Sequence, residues 1–194
     1  VNIKEGQVKV ENHYHESNLP EENIIDEKKQ LIKEINNELS KEKLSNILIK
    51  AIRLARLSKS KKDIFWLENE AYGFERNKKE THSRNTDHRV VNAEIQIATA
   101  NESGYTTLKY KLALGIPIYE IEDIITNYNI PPHYELILRA PVTEGFKKAH
   151  RETFGVDPPK GNIPYIIRIS ELKKIINELK LKISDFVNSI SKSS

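Results

Sequence analysis

The apolar residues of this chain change period twice, and that change restricts the fold more than any other feature. Between residues 24 and 72 they recur at three and four, between 91 and 114 they alternate, and from residue 170 they return to three and four. Spacing of three to four places side chains on one face of a helix, and alternation places them on one face of a strand. Helices, then strands, then a closing helix imply an α+β fold. The expectation is a helical hairpin and a long C-terminal helix packed on a small antiparallel β-sheet.

Ile24, Ile25, Lys28, Leu31, Ile32, Ile35 and Leu39 mark a first helix, with Asp26 and Glu27 in its first turn. Ser40 is the expected cap of a second, whose stripe runs Leu44, Ile47, Leu48, Ala51, Ile52, Leu54, Ala55 and Leu57. Ser58 to Lys62 break the pattern. Asp63 is the expected cap of a third helix, which carries Ile64, Phe65, Trp66, Leu67 and Tyr72 and ends at Gly73. Two helices joined by so short a break should lie antiparallel.

Val91, Ala93, Ile95 and Ile97 then alternate with polar residues, and Leu108, Tyr110, Leu112 and Leu114 do so again after Asn101–Gly104. That pattern predicts a β-hairpin. A short helix is expected over 118–128, a strand at Leu136, Ile137 and Leu138, and an exposed loop over 145–160, which is rich in Gly, Pro and charge. Ser170 should cap the closing helix. Its Leu172, Ile176, Leu179, Ile183, Phe186 and Ile190 repeat at four and three. The seam is short for an autonomous coiled coil, so packing on the sheet is the preferred reading. Leu48, Ile52, Ala55, Trp66, Ile95, Leu112, Leu179 and Ile183 are the expected core.

Residues 1–23 differ from the rest, and the expected division is a flexible or oligomerising arm over 1–23 and an α+β domain over 24–194. Val8 and Val10 alternate with Gln7, Lys9 and Glu11 in a strand too short to stand alone. The arm and the seam reaching Phe186, Val187 and Ile190 lead to an expectation of self-association as a dimer or higher oligomer. His13 and His15 share a strand face near Glu11, but a third strong ligand is lacking, and neither a metal nor a cofactor is expected.

Composition excludes several classes. The absence of cysteine removes disulfides, thiolate metal sites and thiol nucleophiles. No apolar run approaches the roughly 20 residues that span a bilayer, and no signal-peptide core opens the chain, so the expected compartment is the cytoplasm. The chain begins at Val1 and has no methionine, so an upstream piece is expected. A net charge of +3 is too mild to announce a nucleic-acid binder. Local clustering is stronger: Lys50, Arg53, Arg56, Lys59, Lys61 and Lys62 occur without an intervening acid. A solvated helix face is the preferred reading, and a phosphate-contacting surface is the alternative.

The run from Leu44 to Leu57, followed by Phe65-Trp-Leu-Glu-Asn-Glu-Ala-Tyr-Gly73, resembles the opening of the AbiTii abortive-infection family. Trp66, Glu70, Tyr72 and Gly73 stand at the family's signature positions, and the helix around Ile175–Phe186 resembles its closing helix. The resemblance implies a bacterial role in defence against phage and carries over no catalytic motif. Physics gives the signature residues structural roles: Trp66 and Tyr72 as amphipathic anchors, Gly73 as a helix end, and Glu70 as the partner of a backbone N–H or a basic group across the helical hairpin.

For chemistry, the sharpest candidate is Arg76-Asn-Lys-Lys-Glu-Thr-His82, which resembles the RNase motif of HEPN toxins. There His82 would move protons and Arg76 would neutralise charge developing on phosphorus. His88 and His150 stand alone in basic segments read as loops. No nucleophile elbow, P-loop or dinucleotide fingerprint occurs. The expected function is therefore a non-catalytic interaction or sensor domain of a phage-defence system, with a protein partner. The alternatives are an RNase using Arg76 and His82, and a nucleic-acid-binding module using the Lys50–Lys62 surface.

Overall fold

The computed structural model describes residues 21–74, 87–98, 105–127, 135–141, 147, 148, 150–152, 155, 157, 158 and 161–193. Three helices open it: α1 (Glu21–Glu38), α2 (Leu44–Leu57) and α3 (Lys61–Tyr72). A 3-10 turn at Asp87–Arg89 leads into the hairpin β1 (Val90–Ala98) and β2 (Tyr105–Ala113). Then come α4 (Ile118–Asn127), β3 (Glu135–Pro141), β4 (Asn162–Arg168) and α5 (Ile169–Ser193). The class is α+β, as the periods imply.

None of the three expected caps holds its place. The second helix begins at Leu44 rather than beside Ser40, because Leu39–Glu42 continue in turns closed by backbone bonds to Ile35 and Glu38. Its first amides are capped from another element. The Glu122 carboxylate on α4 accepts from Leu44 N at 2.5 Å and Ser45 N at 3.1 Å. The cap of α3 is Ser60, three residues before Asp63. Asp63 sits inside the first turn, accepting from Ser60 Oγ at 2.5 Å and from Trp66 Nε1 at 3.0 Å. At the closing helix Ser170 is no cap, since α5 starts at Ile169 directly from β4.

The sheet has the order β2-β1-β4-β3, antiparallel throughout. The hairpin register runs from Val90↔Ala113 to Ala98↔Tyr105, matching the alternation in sequence. The strand at 162–168 is not among the expected elements. Ile163, Tyr165 and Ile167 alternate there and are buried, but Pro164 interrupts the run, and a proline argues against a central strand. The structure accommodates it: β4 pairs along its length with β3, while its ladder with β1 is confined to Ala93↔Ile167 and Glu94↔Ile166. Where that ladder ends, Glu171 of α5 reaches back and accepts from Asn92 N at 2.9 Å and Asn92 Nδ2 at 3.1 Å.

One sheet face carries Val91, Ala93, Ile95, Leu112, Ile163, Tyr165 and Ile167 into the core, against the helices. Seven of the eight expected core residues are buried: Leu48, Ile52, Ala55, Ile95, Leu112, Leu179 and Ile183. Trp66 is half-buried at the margin, with its ring edge-on to Phe186 at 6.3 Å between centroids. The heptad seam of α5 is spent inside the chain. Leu172, Leu179, Ile183, Phe186 and Val187 are buried, with Ile176 and Ile190 packed beside them.

Candidate functional site

The end of α3 meets the start of β1 through a cluster of charge. Glu70 follows Leu67 by three residues, so helical spacing carries it onto the buried face, and only 2% of it remains exposed. A carboxylate so placed requires partners. Arg89 supplies two bonds, from Nε to Oε2 at 2.8 Å and a closer one from Nη2 to the same oxygen. His88 Nε2 lies 2.7 Å from Oε1. Arg89 is itself 1% exposed; its Nη1 also donates to the Ile116 carbonyl at 3.1 Å, and its guanidinium lies over the Phe74 ring at 5.5 Å.

From α5, Lys182 Nζ approaches His88 Nδ1 at 3.0 Å. An ammonium can only donate, so Nδ1 accepts, and the ring proton sits on Nε2 and is donated to Glu70. Burial pushes the Glu70 carboxyl upward, but the His88 hydrogen bond and the Arg89 charge outweigh it and hold the group below its ordinary value. Burial lowers Lys182, against the opposing pull of Glu70, Asp87 and Glu178. The result is a carboxylate–imidazole–amine chain with both ring nitrogens engaged. It clasps α3, the 3-10 turn and α5 together.

Gly73 completes the corner. At φ +88° it ends α3, its N–H donates to Asn69 O at 2.9 Å, and an added Cβ would meet Gly115 O and Pro117 Cδ at 3.1 Å. Of the four signature residues, Glu70 and Gly73 thus have buried structural work, Trp66 is half-buried, and Tyr72 is exposed. Glu70 finds its basic partner at the entry to the sheet, not across the helical hairpin. His88, read from sequence as lying in a basic loop, is buried, and so is His150. The signal for the clasp was the position of Glu70 on the apolar side of α3. Nothing local identified Arg89 as its partner.

A second feature lies on the opposite face of the sheet. There Asn92, Glu94, Lys109, Lys111, Glu135, Ile166, Arg168 and Glu171 line a shallow groove of about 530 Å³. Ile137, beside it on β3, is 62% exposed. Glu94 pairs in register with Lys109, and Glu135 with Arg168, yet among the described residues none of these four, nor Lys111, is held in an ion pair.

The Lys50–Lys62 cluster divides in two. Lys50 binds Glu34 at 2.8 Å and Glu38 at 2.7 Å, Arg53 binds Glu27, and Arg56 binds Glu68 at 2.7 Å. The bonds from Glu34 and Glu38 raise the Lys50 ammonium, and the Lys50 bond lowers Glu34. Lys59, Lys61 and Lys62 remain exposed around the turn from α2 to α3. Arg76, His82, His13 and His15 lie outside the described residues. Among the described residues no group of three or more His, Cys, Asp or Glu is arranged to hold a metal, and no helix is long and apolar enough to cross a membrane.

A family model described as AbiTii matches residues 30–194. No curated protein and no solved structure matches the chain.

Proposed function

The chain belongs to the AbiTii family, and on that premise we propose that it is a non-catalytic interaction or sensor domain that works by docking a partner. Membership implies a bacterial protein of abortive-infection defence against phage. The observation that carries the finer reading is the open sheet face. The helices cover one side of the sheet, and the other presents a groove whose charged groups are not paired with one another. Exposed apolar and charged groups gathered on one face mark a contact surface. The clasp supports the same reading, because its titratable groups are engaged with each other in the interior.

The test is protection of a phage-challenged host expressing the whole gene. Glu94→Lys and Lys111→Glu on the open face should lower protection while leaving the unfolding midpoint unchanged. His82→Ala and Arg76→Ala should retain protection. A folded His82→Ala protein that no longer protects would install the RNase reading instead. The nucleic-acid alternative now rests on Lys59, Lys61 and Lys62, since the other three cations are ion-paired. Changing those three to Glu should leave protection intact if docking runs through the sheet.

A further inference from the structure

The open sheet face carries its charges in an ordered arrangement. The pairing registers set its residues in rows across the four strands. Ala93↔Ile167 and Glu94↔Ile166, continued by one residue, bring Asn92 beside Arg168. One row therefore reads Lys111, Asn92, Arg168, Glu135 from β2 to β3, and the next contains Ile166 and Ile137 side by side. The first row is basic at one edge of the sheet and acidic at the other, with an apolar pair in the row beside it.

We propose that two copies of the chain associate face to face through this surface, about a two-fold axis running along the strands. That operation lays β2 of one copy over β3 of its partner and keeps each row facing its own equivalent. Lys111 then meets the partner's Glu135, twice per dimer. An axis across the strands would instead lay β2 over β2 and β3 over β3, so that Lys111 never meets Glu135, and charge selects the orientation along the strands. Aligned sheets rotate by about 30° on one another and stack about 10 Å apart. An edge strand lies about 7 Å from the axis, so the rotation displaces it by about 3.6 Å, roughly half the 6.8 Å between rows. A lysine and a glutamate still reach across that offset.

The face spans four strands about 4.8 Å apart and about seven residues of length, on the order of 450 Å² per copy. Two such faces total about 900 Å², in the range of transient contacts rather than obligate ones. The dimer should therefore form and dissolve with concentration. The inference deepens the docking reading and rests on it, naming a second copy as the occupant. The seam of α5 supplies no rival surface, since Phe186 and Val187 are buried in the chain's own core.

Light scattering on the full chain across a concentration series is the test, with Lys111→Glu and Glu135→Lys made singly and together. Wild type should climb from 22.4 kDa towards twice that mass. Each single reversal opposes like charges and should shift the series at least tenfold towards monomer, and the double reversal should restore it. Ile190→Lys, on α5, should leave the series unchanged. All three residues changed in this way touch solvent, and matching unfolding midpoints exclude misfolding as the cause. A wild-type chain that stays monomeric at high concentration overturns the proposal, as do single reversals without effect or a double reversal that fails to rescue. If such a monomer still protects against phage and loses protection on Lys111→Glu, the docking reading stands and its occupant is a different protein.

Discussion

Replacing Glu70 by glutamine removes the one anion that serves both Arg89 and His88 in the interior. Breaking a buried pair by removing one member costs about 3–5 kcal/mol, because the remaining charge stays desolvated. Urea unfolding of Glu70→Gln should show a loss of that order, against the few tenths of a surface change. The same carboxylate gives an acid dependence. Its folded value lies below the ordinary 4.5, so the folded chain binds that proton less readily than the unfolded one. Its stabilisation is complete above 4.5 and is lost as the pH falls through the folded value. Wild-type stability should therefore drop on acidification below 4.5, and Glu70→Gln should drop less steeply in that window.

At the scale of elements, α2 carries no side-chain cap of its own and borrows Glu122 from α4. Glu122→Ala should cost about 1–2 kcal/mol, as loss of a good cap does, and denaturant titration measures it. This borrowed cap shows where sequence reading ends. The α2 stripe, the β1–β2 hairpin and the apolar line of α5 were legible because each buries one face of its own, and period alone reveals that face. Cap positions were misread because Ser40, Asp63 and Ser170 each satisfy the local preference, while α2 takes its cap from α4, α3 begins directly after Ser60, and β4 runs straight into α5. The strand at 162–168 was hidden by Pro164. Of the candidate site, Glu70 was visible as an acid on an apolar face. Arg89 and Lys182, 19 residues and 112 residues further along, were not, since no periodic rule links positions so far apart.

At the scale of the molecule, α5 binds the layers together, touching α1, α2, α4, β1, β4 and the 3-10 turn. A chain tied in this way should unfold in one step. The chain's single tryptophan sits on α3 against Phe186 of α5 and so reports the packing of the helix layer. Its fluorescence and the far-ultraviolet circular dichroism should give coincident transitions in urea. Separate midpoints would mean that the α1–α3 layer melts independently of the sheet.

The Glu70–Arg89 clasp also acts as a non-covalent cross-link. It joins two points 19 residues apart and fixes both ends of the intervening chain. The cost of closing a tethered loop rises only with the logarithm of its length, by about 0.6 kcal/mol for each doubling. In closure entropy alone, the clasp is therefore insensitive to modest changes in the number of residues between its two ends. What such a cross-link cannot give up is its own chemistry, an acid on α3 and a guanidinium at the entry to β1.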